Sequence, residues 1–367
     1  MKKTLIALTL ATLPVAAFAD VTLYGQIKAG VEVSKIKTGS GVNKDKSKTA
    51  TEIADFGSRI GFKGHEHIGS GLNAIWQIEN KVSVAGGGEL AGRESFIGLE
   101  GGFGKIRAGK LATQLDDMDQ VDPWEYNSSA LGLGVFTRTG KKVTSIKYDT
   151  PVFGGFSANV QYTPRDNANP ADKYDHKQPA KDAYYAGLNY ENSGFFAQYG
   201  VGVQKNAYNL IDAQGNPGKG KTGHVHRIGG GYDANNLFVA VGAQYDKGFT
   251  NLDTYERAFT GEDKPDRPLT SDEAGGLEIK EVAVTGAYRF GNVTPRVSYA
   301  HGWDVKELSQ SKKPSIKDSK YDQVIVGADY DFSKRTTALV SAGWLRAGKG
   351  DTKYQSTAGL VGLRHKF

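Results

Sequence analysis

The chain has 367 residues, with 46 Lys and Arg against 40 Asp and Glu, and no cysteine. The missing cysteines exclude a disulfide framework and any thiolate metal or nucleophile site, and near-balanced charge without a dense basic tract argues against nucleic-acid binding. Hydrophobic residues make up only 38% and glycine reaches 48, with 18 Tyr and 16 Phe, a composition suited to many short strands joined by tight turns.

The first residues form a removable segment. Lys2 and Lys3 supply a positive start, residues 5–15 an apolar run broken by Pro14, and Ala17-Phe18-Ala19 a small-residue cleavage site. This reads as a secretory signal over 1–19, too short to span a bilayer as an anchor, which leaves 20–367 as the working chain. No later stretch approaches the ~18 apolar residues of a membrane helix.

Residues 21–34 then set the pattern. Val21, Leu23, Ile27, Ala29, Val31 and Val33 alternate with Thr22, Tyr24, Gln26, Lys28 and Glu32. That is the two-residue period of a strand with one apolar face. The same rule at 58–63 places Ile60 and Phe62 on the apolar face and Arg59 and Lys63 on the other. It likewise pairs Arg93 with the face of Ser95, and Lys105 with that of Arg107. Residues 111–141 break the rhythm. They carry five acids (Asp116, Asp117, Asp119, Asp122 and Glu125) among Trp124, Tyr126, Leu131, Leu133, Val135 and Phe136. A loop this long in a compact domain is functional or disordered, and its apolar content argues for order. Its acids predict that it stays wet. Strand alternation resumes at 156–163, 237–246 and 323–332.

Connections alternate in length. Short ones near 67–71, 101–104, 151–155, 191–194, 234–236, 291–292 and 333–334 carry Gly, Pro, Asn and Ser. Long polar ones lie near 35–55, 83–90, 111–141, 164–181, 205–223, 247–278, 304–319 and 347–353. Fifteen connections make sixteen strands. An even antiparallel meander with short turns at one end and long loops at the other is the plan of a bacterial transmembrane barrel. A ten-residue strand tilted ~45° spans roughly 23 Å, close to the apolar band of such a barrel. Closure removes the sheet edge that lipid would not tolerate. Tyr24, Trp76, Tyr162, Tyr190, Tyr199, Tyr245, Tyr288, Tyr299, Trp303, Tyr330 and Trp344 fall toward strand ends, where interfacial girdles sit.

The runs DVTLYG from Asp20, SRIGFKGHEHIGSGLNAIWQIE over 58–79, RESFIGLEGGFGKIRAGKL over 93–111 and the terminal Phe367 resemble the trimeric general porins of Gram-negative bacteria, the neisserial-type branch most closely. The resemblance spans all of 20–367. It implies a sixteen-stranded outer-membrane β-barrel, a homotrimer, a third long loop (111–141) folded into the pore, and a terminal Phe367 read by the barrel-assembly machinery. It implies no cofactor. The acid run Asp116-Asp117-Met118-Asp119 departs from the closest branch and bears on ion preference.

A base facing lipid at midplane would cost ~2–4 kcal/mol, so Arg59, Lys63, Arg93, Lys105 and Arg107 are expected on the pore wall opposite the loop acids. Two unit charges ~10 Å apart in water interact by only about 0.4 kcal/mol, so selectivity needs several aligned charges in a narrow channel. The reading is passive diffusion of ions and small hydrophilic solutes, with a weak anion preference from bases fixed on rigid strands. Two alternatives stand beside it. One is a barrel enzyme acting on lipid, for which His301 is the outward-facing candidate without a matching serine. The other is a closed adhesive or anchoring barrel, which needs about half as many strands. His65-Glu66-His67 and His224-Val225-His226 place paired histidines on one strand face but lack a third metal ligand.

Overall fold

The computed structural model describes residues 21–39, 44–89, 91–124, 126, 128–211, 217–261, 275–308 and 316–367. The expected signal segment 1–19 lies outside them, and so does Glu125. The described residues form a closed antiparallel barrel of sixteen strands. In chain order these are β1 (Thr22–Thr38), β2 (Ala50–Asp55, resuming as Arg59–Gly69), β3 (Leu72–Val82), β4 (Ser95–Gly101), β5 (Gly104–Ala112), β6 (Lys142–Asp149), β7 (Phe156–Thr163) and β8 (Ala183–Asn192). The second half comprises β9 (Phe195–Ile211), β10 (Pro217–Ala234), β11 (Leu237–Asn251), β12 (Gly276–Tyr288), β13 (Val293–Gly302), β14 (Tyr321–Asp331), β15 (Thr336–Ala347) and β16 (Tyr354–Lys366). Neighbours in sequence are neighbours in the sheet, and β16 returns to β1 in a ladder from Gln26↔Lys366 to Thr38↔Tyr354. Phe367 extends that ladder: its amide donates to the Gly25 carbonyl at 3.1 Å and its carbonyl accepts from the Gly25 amide at 3.0 Å.

Alternation sorts side chains between the two faces. Val31, Phe62, Ile78, Ile97, Ile106, Ile146, Val160, Leu188, Ile228, Val241, Val297, Val326, Val340 and Val361 are exposed on the outer face, as lipid-facing residues must be in an isolated subunit. Their sequence neighbours point inward. Tyr24 departs from the expected girdle. It lies on the inward face, where its hydroxyl donates to Glu79 at 3.1 Å.

Three long connections contain more regular structure than the sequence suggests. β1 runs on to Thr38, β9 and β10 continue as a long hairpin beyond residue 205, and residues Leu252–Thr260 form a helix. β2 is broken at 56–58. There the Asp55 carboxylate accepts from the Gly57 amide at 2.9 Å and the Ser58 amide at 2.8 Å, and Phe56 turns inward. The break reverses which parity faces out, from Ile53 before it to Phe62 after it, as an extra residue in a strand must.

Candidate functional site

The loop between β5 and β6 covers residues 113–141 and opens on a short helix, α1 (Gln114–Asp117), capped by the Thr113 hydroxyl. A second, α2 (Gly134–Thr137), precedes the return to β6. Between them the Asp122 carboxylate ties the loop to itself, accepting from the Leu133 amide at 2.9 Å.

Every anchor this loop makes on the far strands is to an inward-facing side chain, and the anchors step round the barrel. Gln114 donates to Asn189 on β8 at 2.7 Å and accepts from Asn159 on β7. Thr139 donates to Gln244 on β11 at 2.6 Å. The Trp124 indole donates to Ser298 on β13 at 2.8 Å, with the Arg296 guanidinium 4.3 Å from its ring. Gln323 on β14 donates to the carbonyls of Ser129 and Gly132, both at 2.8 Å. Lys28 on β1 lies over the Tyr126 ring at 5.0 Å. Wall glycines make room for this approach. At Gly187 a Cβ would strike the Gln114 side chain, and at Gly343 it would strike the Ala130 carbonyl.

Two buried arginines hold the loop's ends. Arg227 on β10 is 1% exposed. One of its Nη atoms donates to the Leu115 carbonyl at 2.8 Å and to Asp119 at 3.1 Å, while the other donates to the Phe136 carbonyl at 3.1 Å and Thr139 at 2.9 Å. Its Nε donates to Gln244 at 3.0 Å. The descending and returning limbs are therefore clipped by one side chain. Arg138, on the loop itself, meets both oxygens of Glu281 at 2.6 Å and reaches Asp246 at 3.5 Å.

Val121, Trp124, Leu133, Val135 and Phe136 form a buried core with Ala240, Leu277, Ile279, Ala283, Ala300, Ile325 and Leu345 from β11–β15. The helix α3 (Leu252–Thr260) adds Tyr255 and Phe259 to it. The expectation of a wet loop is thus corrected. Its apolar side chains are dry, and the acids sit at its edges with partners. Asp116 pairs with Lys142, Asp117 with Lys147 at 2.9 Å, and Asp119 with Arg227 at 3.1 Å. Asp117 remains 46% exposed.

Apart from Phe56 at the break in β2, which packs on Tyr126, Ala130 and Leu131, the loop makes no such anchor on β2–β5, and that stretch holds the five expected bases. Arg59 and Lys63 lie on the inward face of β2, and Lys105 and Arg107 on that of β5, as alternation requires. Arg93 reaches the interior by another route. It stands in a bend ahead of β4, where Ile97 and Leu99 mark odd positions as outward, and its Nε donates to Glu79 from that bend. The face shared with Ser95 is therefore not what turns it inward. Carboxylates accompany four of the five. Glu79 serves Arg93 and approaches Arg59 at 3.9 Å, Glu94 and Asp149 hold Arg107 at 3.2 and 2.8 Å, and Glu100 holds Lys105 at 3.1 Å. Lys63 has no ion pair among the described residues, and its ammonium rests 5.4 Å from the Tyr24 ring. Lys105 is next to the short turn at the end of β5 remote from the loop, so it does not face the loop acids.

Lys147, Arg227, Arg138 and Arg296 were missed from sequence. Arg227 carried a usable signal: over 225–231 it is the one charged residue on a strand face otherwise made of Val225, Gly229 and Gly231.

A family model described as Gram-negative porin matches residues 28–367. The major outer membrane protein P.IB of Neisseria sicca is 56% identical, with both chains covered in full. Among solved structures, an anion-selective porin from Comamonas acidovorans superposes with a TM-score of 0.65 at 20% identity, over 95% of this chain and 100% of that one. The trimer form of OmpT from Vibrio cholerae gives 0.61 at 16%, over 95% and 99%.

Proposed function

Because the chain belongs to the Gram-negative porin family, we propose that its loop 113–141 narrows the diffusion path and that the uncovered wall sets a weak preference for anions. The chain is an outer-membrane porin, a β-barrel channel for passive diffusion. The observation that carries the finer reading is the division of the interior. The loop is anchored on strands from β7 round to β1, while Arg59, Lys63, Arg93, Lys105 and Arg107 stand on or beside β2–β5. Solutes then pass between the loop edge and that wall. The five bases there are mostly balanced by Glu79, Glu94, Glu100 and Asp149, which leaves Lys63 as the one of the five without an ion pair among the described residues and keeps the bias small. The acids Asp116, Asp117 and Asp119 are offset by Lys142, Lys147 and Arg227, and Asp122 serves the loop's own amides. Several partly desolvated charges around one aperture act together where a single pair would not. The Comamonas neighbour, described as anion-selective, agrees in direction.

The reading extends to a homotrimer in outer-membrane lipid, in line with the trimer form described for the Vibrio neighbour, and to Phe367 as the residue the assembly machinery engages. A lipid-hydrolase role is not favoured. His301 lies on the outward face, but its ring bonds Asp322 at 2.8 Å rather than a serine.

The test is the reversal potential of bilayer-inserted channels in a salt gradient. Changing Arg59, Lys63 and Arg107 to Ser together should shift it toward cations. An unchanged potential would remove these bases from the selectivity mechanism. Deleting 116–125 should raise conductance; unchanged conductance would show that the loop is not the constriction.

A further inference from the structure

Two histidines stand on the uncovered wall near the short-turn end of β2. His65 and His67 continue the line of Arg59 and Lys63 along one strand at even spacing, so all four share a face. Phe62 and Ile68 are exposed on the opposite, outward face. A Cβ at Gly64 would strike the Trp76 ring, and Trp76 lies opposite Ile97, itself exposed to the outside. His65 and His67 therefore point into the lumen, and both are exposed there.

The other histidines do not share that position. His224 and His226 lie on the outward face of Ile228 on β10, and His365 follows Val361 and Leu363 on the outside of β16. His301 is outward on β13, and His176 sits in the loop 164–181, paired with Asp166 at 3.0 Å. The lumenal wall thus carries its histidines at one place. Histidine is the side chain whose charge changes between pH 5 and 8.

Nothing nearby cancels that charge. Lys63 precedes the pair on β2. Across the register His67 is followed by Asn73 on β3, Glu100 on β4, Lys105 on β5 and Asp149 on β6. His65 is followed by Ile75, Gly98, Arg107 and Lys147. On the other side β1 reaches Thr22 opposite Lys63 within the described residues. Glu79 lies farther along β3, opposite Gly61. The acids are engaged: Glu100 with Lys105, Asp149 with Arg107 and Glu79 with Arg93. Strands are ~4.8 Å apart, which puts Glu100 roughly 10 Å from His67 across two of them. Neither histidine has an ion pair among the described residues. The His67 Nδ1 lies 3.1 Å from the Asn73 side-chain oxygen, which can only accept, so Nδ1 carries a proton and Nε2 is the site for a second. Charging the ring keeps that bond.

We propose that His65 and His67 make the anion preference of this channel rise as the medium acidifies, by adding two positive charges to the solute path beside Lys63. The inference rests on the reading that solutes pass along this wall, and assigns to it the residues that make selectivity depend on pH.

The test is the reversal potential of the bilayer-inserted protein in a potassium chloride gradient near 0.1 M, where the Debye length is ~10 Å, read at pH 8 and pH 5.5. Exposed carboxylates keep their charge over this range. An ion ~7 Å from a unit charge in water, with the interaction about halved by screening, changes its local concentration roughly 1.6-fold, and two such charges give about 2.5-fold. The chloride-to-potassium permeability ratio of the wild type should rise by about that factor on acidification. H65N/H67N should abolish the rise, and H65K/H67K should hold the higher ratio at both pH values. Both variants should give heat-modifiable barrels in wild-type amounts, so that a loss of fold does not imitate the result. A wild type with equal ratios at the two pH values would overturn the proposal. So would a rise kept at half or more in H65N/H67N, which would assign the response to other groups, the loop acid Asp119 among them. An H65K/H67K ratio equal to wild type at pH 8 would overturn it too, by showing that charge at these positions does not reach the ions. At pH 8 imidazole is uncharged, so the potential there tests the fixed bases through the Arg59, Lys63 and Arg107 triple variant, while the difference between the two pH values tests the histidines.

Discussion

Replacing Arg227 by Met tests whether the loop is held by its buried clip. The substitution keeps an unbranched side chain of moderate length and removes five hydrogen bonds. Gln244 and Thr139 still bond each other at 2.6 Å and the Gln244 amide still donates to the Phe136 carbonyl at 3.3 Å, so the uncompensated groups are the Leu115 carbonyl and the Asp119 carboxylate. Each buried acceptor left without a donor costs ~1–3 kcal/mol, and breaking a buried ion pair costs ~3–5 kcal/mol. These penalties overlap. The Asp119 side chain is 41% exposed and can rehydrate, which favours the low end, ~3 kcal/mol. A loss of that size lowers the ratio of seated to unseated loop about 150-fold. Wall ladders do not pass through this side chain, so the folded barrel should form in normal amounts. In planar bilayers, R227M should show larger or fluctuating single-channel conductance, with excess open-channel noise. R227K should fall between, since one ammonium cannot reach both limbs. If R227M conducts with wild-type amplitude and noise, the clip does not hold the loop and the apolar core alone suffices.

Other substitutions address separate parts of the design. Gly343→Val places methyl groups where the Ala130 carbonyl now lies, so the loop should shift and conductance change by more than for Gly286→Val, whose Cβ position is open; equal effects would contradict the packing described. Lys63→Ser alone should move the reversal potential toward cations by a measurable part of the triple-variant shift, because no carboxylate within the described residues balances it; a silent single variant would place the selectivity elsewhere. Deleting Phe367 removes two backbone hydrogen bonds to Gly25 as well as the terminal ring, and should lower the amount of heat-modifiable barrel recovered from outer membranes; undiminished recovery on overexpression would refute a role in assembly.

The wall was legible in the sequence because a strand's period is two. Ile60 and Phe62 fixed the side of Arg59 and Lys63, and Ile106 fixed that of Lys105 and Arg107, without knowledge of any neighbour. Segregated connection lengths carried the strand count for the same local reason. Arg93 marks where this stops: outside a strand, parity says nothing about direction. The loop was illegible for a different cause. Its acids suggested solvent, yet their partners Lys142, Lys147 and Arg227 come from positions up to 108 residues away, and nothing in the loop's own residues indicates them. The broken β2 shows a third case. A Gly-Ser pair after Asp55 is visible, but whether it bends the strand or ends it depends on Phe56 finding Tyr126, at a ring distance of 5.5 Å.

The anchors of the loop also constrain the order of events in folding. They join Trp124 to Ser298, Gln323 to Gly132 and Lys28 to Tyr126, contacts that span up to 191 residues of chain and almost the whole circumference. Such distant pairings are costly to form early, because loop-closure entropy comes before their reward. Strand pairing between neighbours can proceed without the loop, but the loop has no complete berth until β10 to β15 stand side by side and β1 has met β16. The loop is thus the last part of the molecule to acquire its seat. A barrel caught before closure would be a sheet with a loosely tethered acidic strap, and a conducting state of defined size would mark the completed fold.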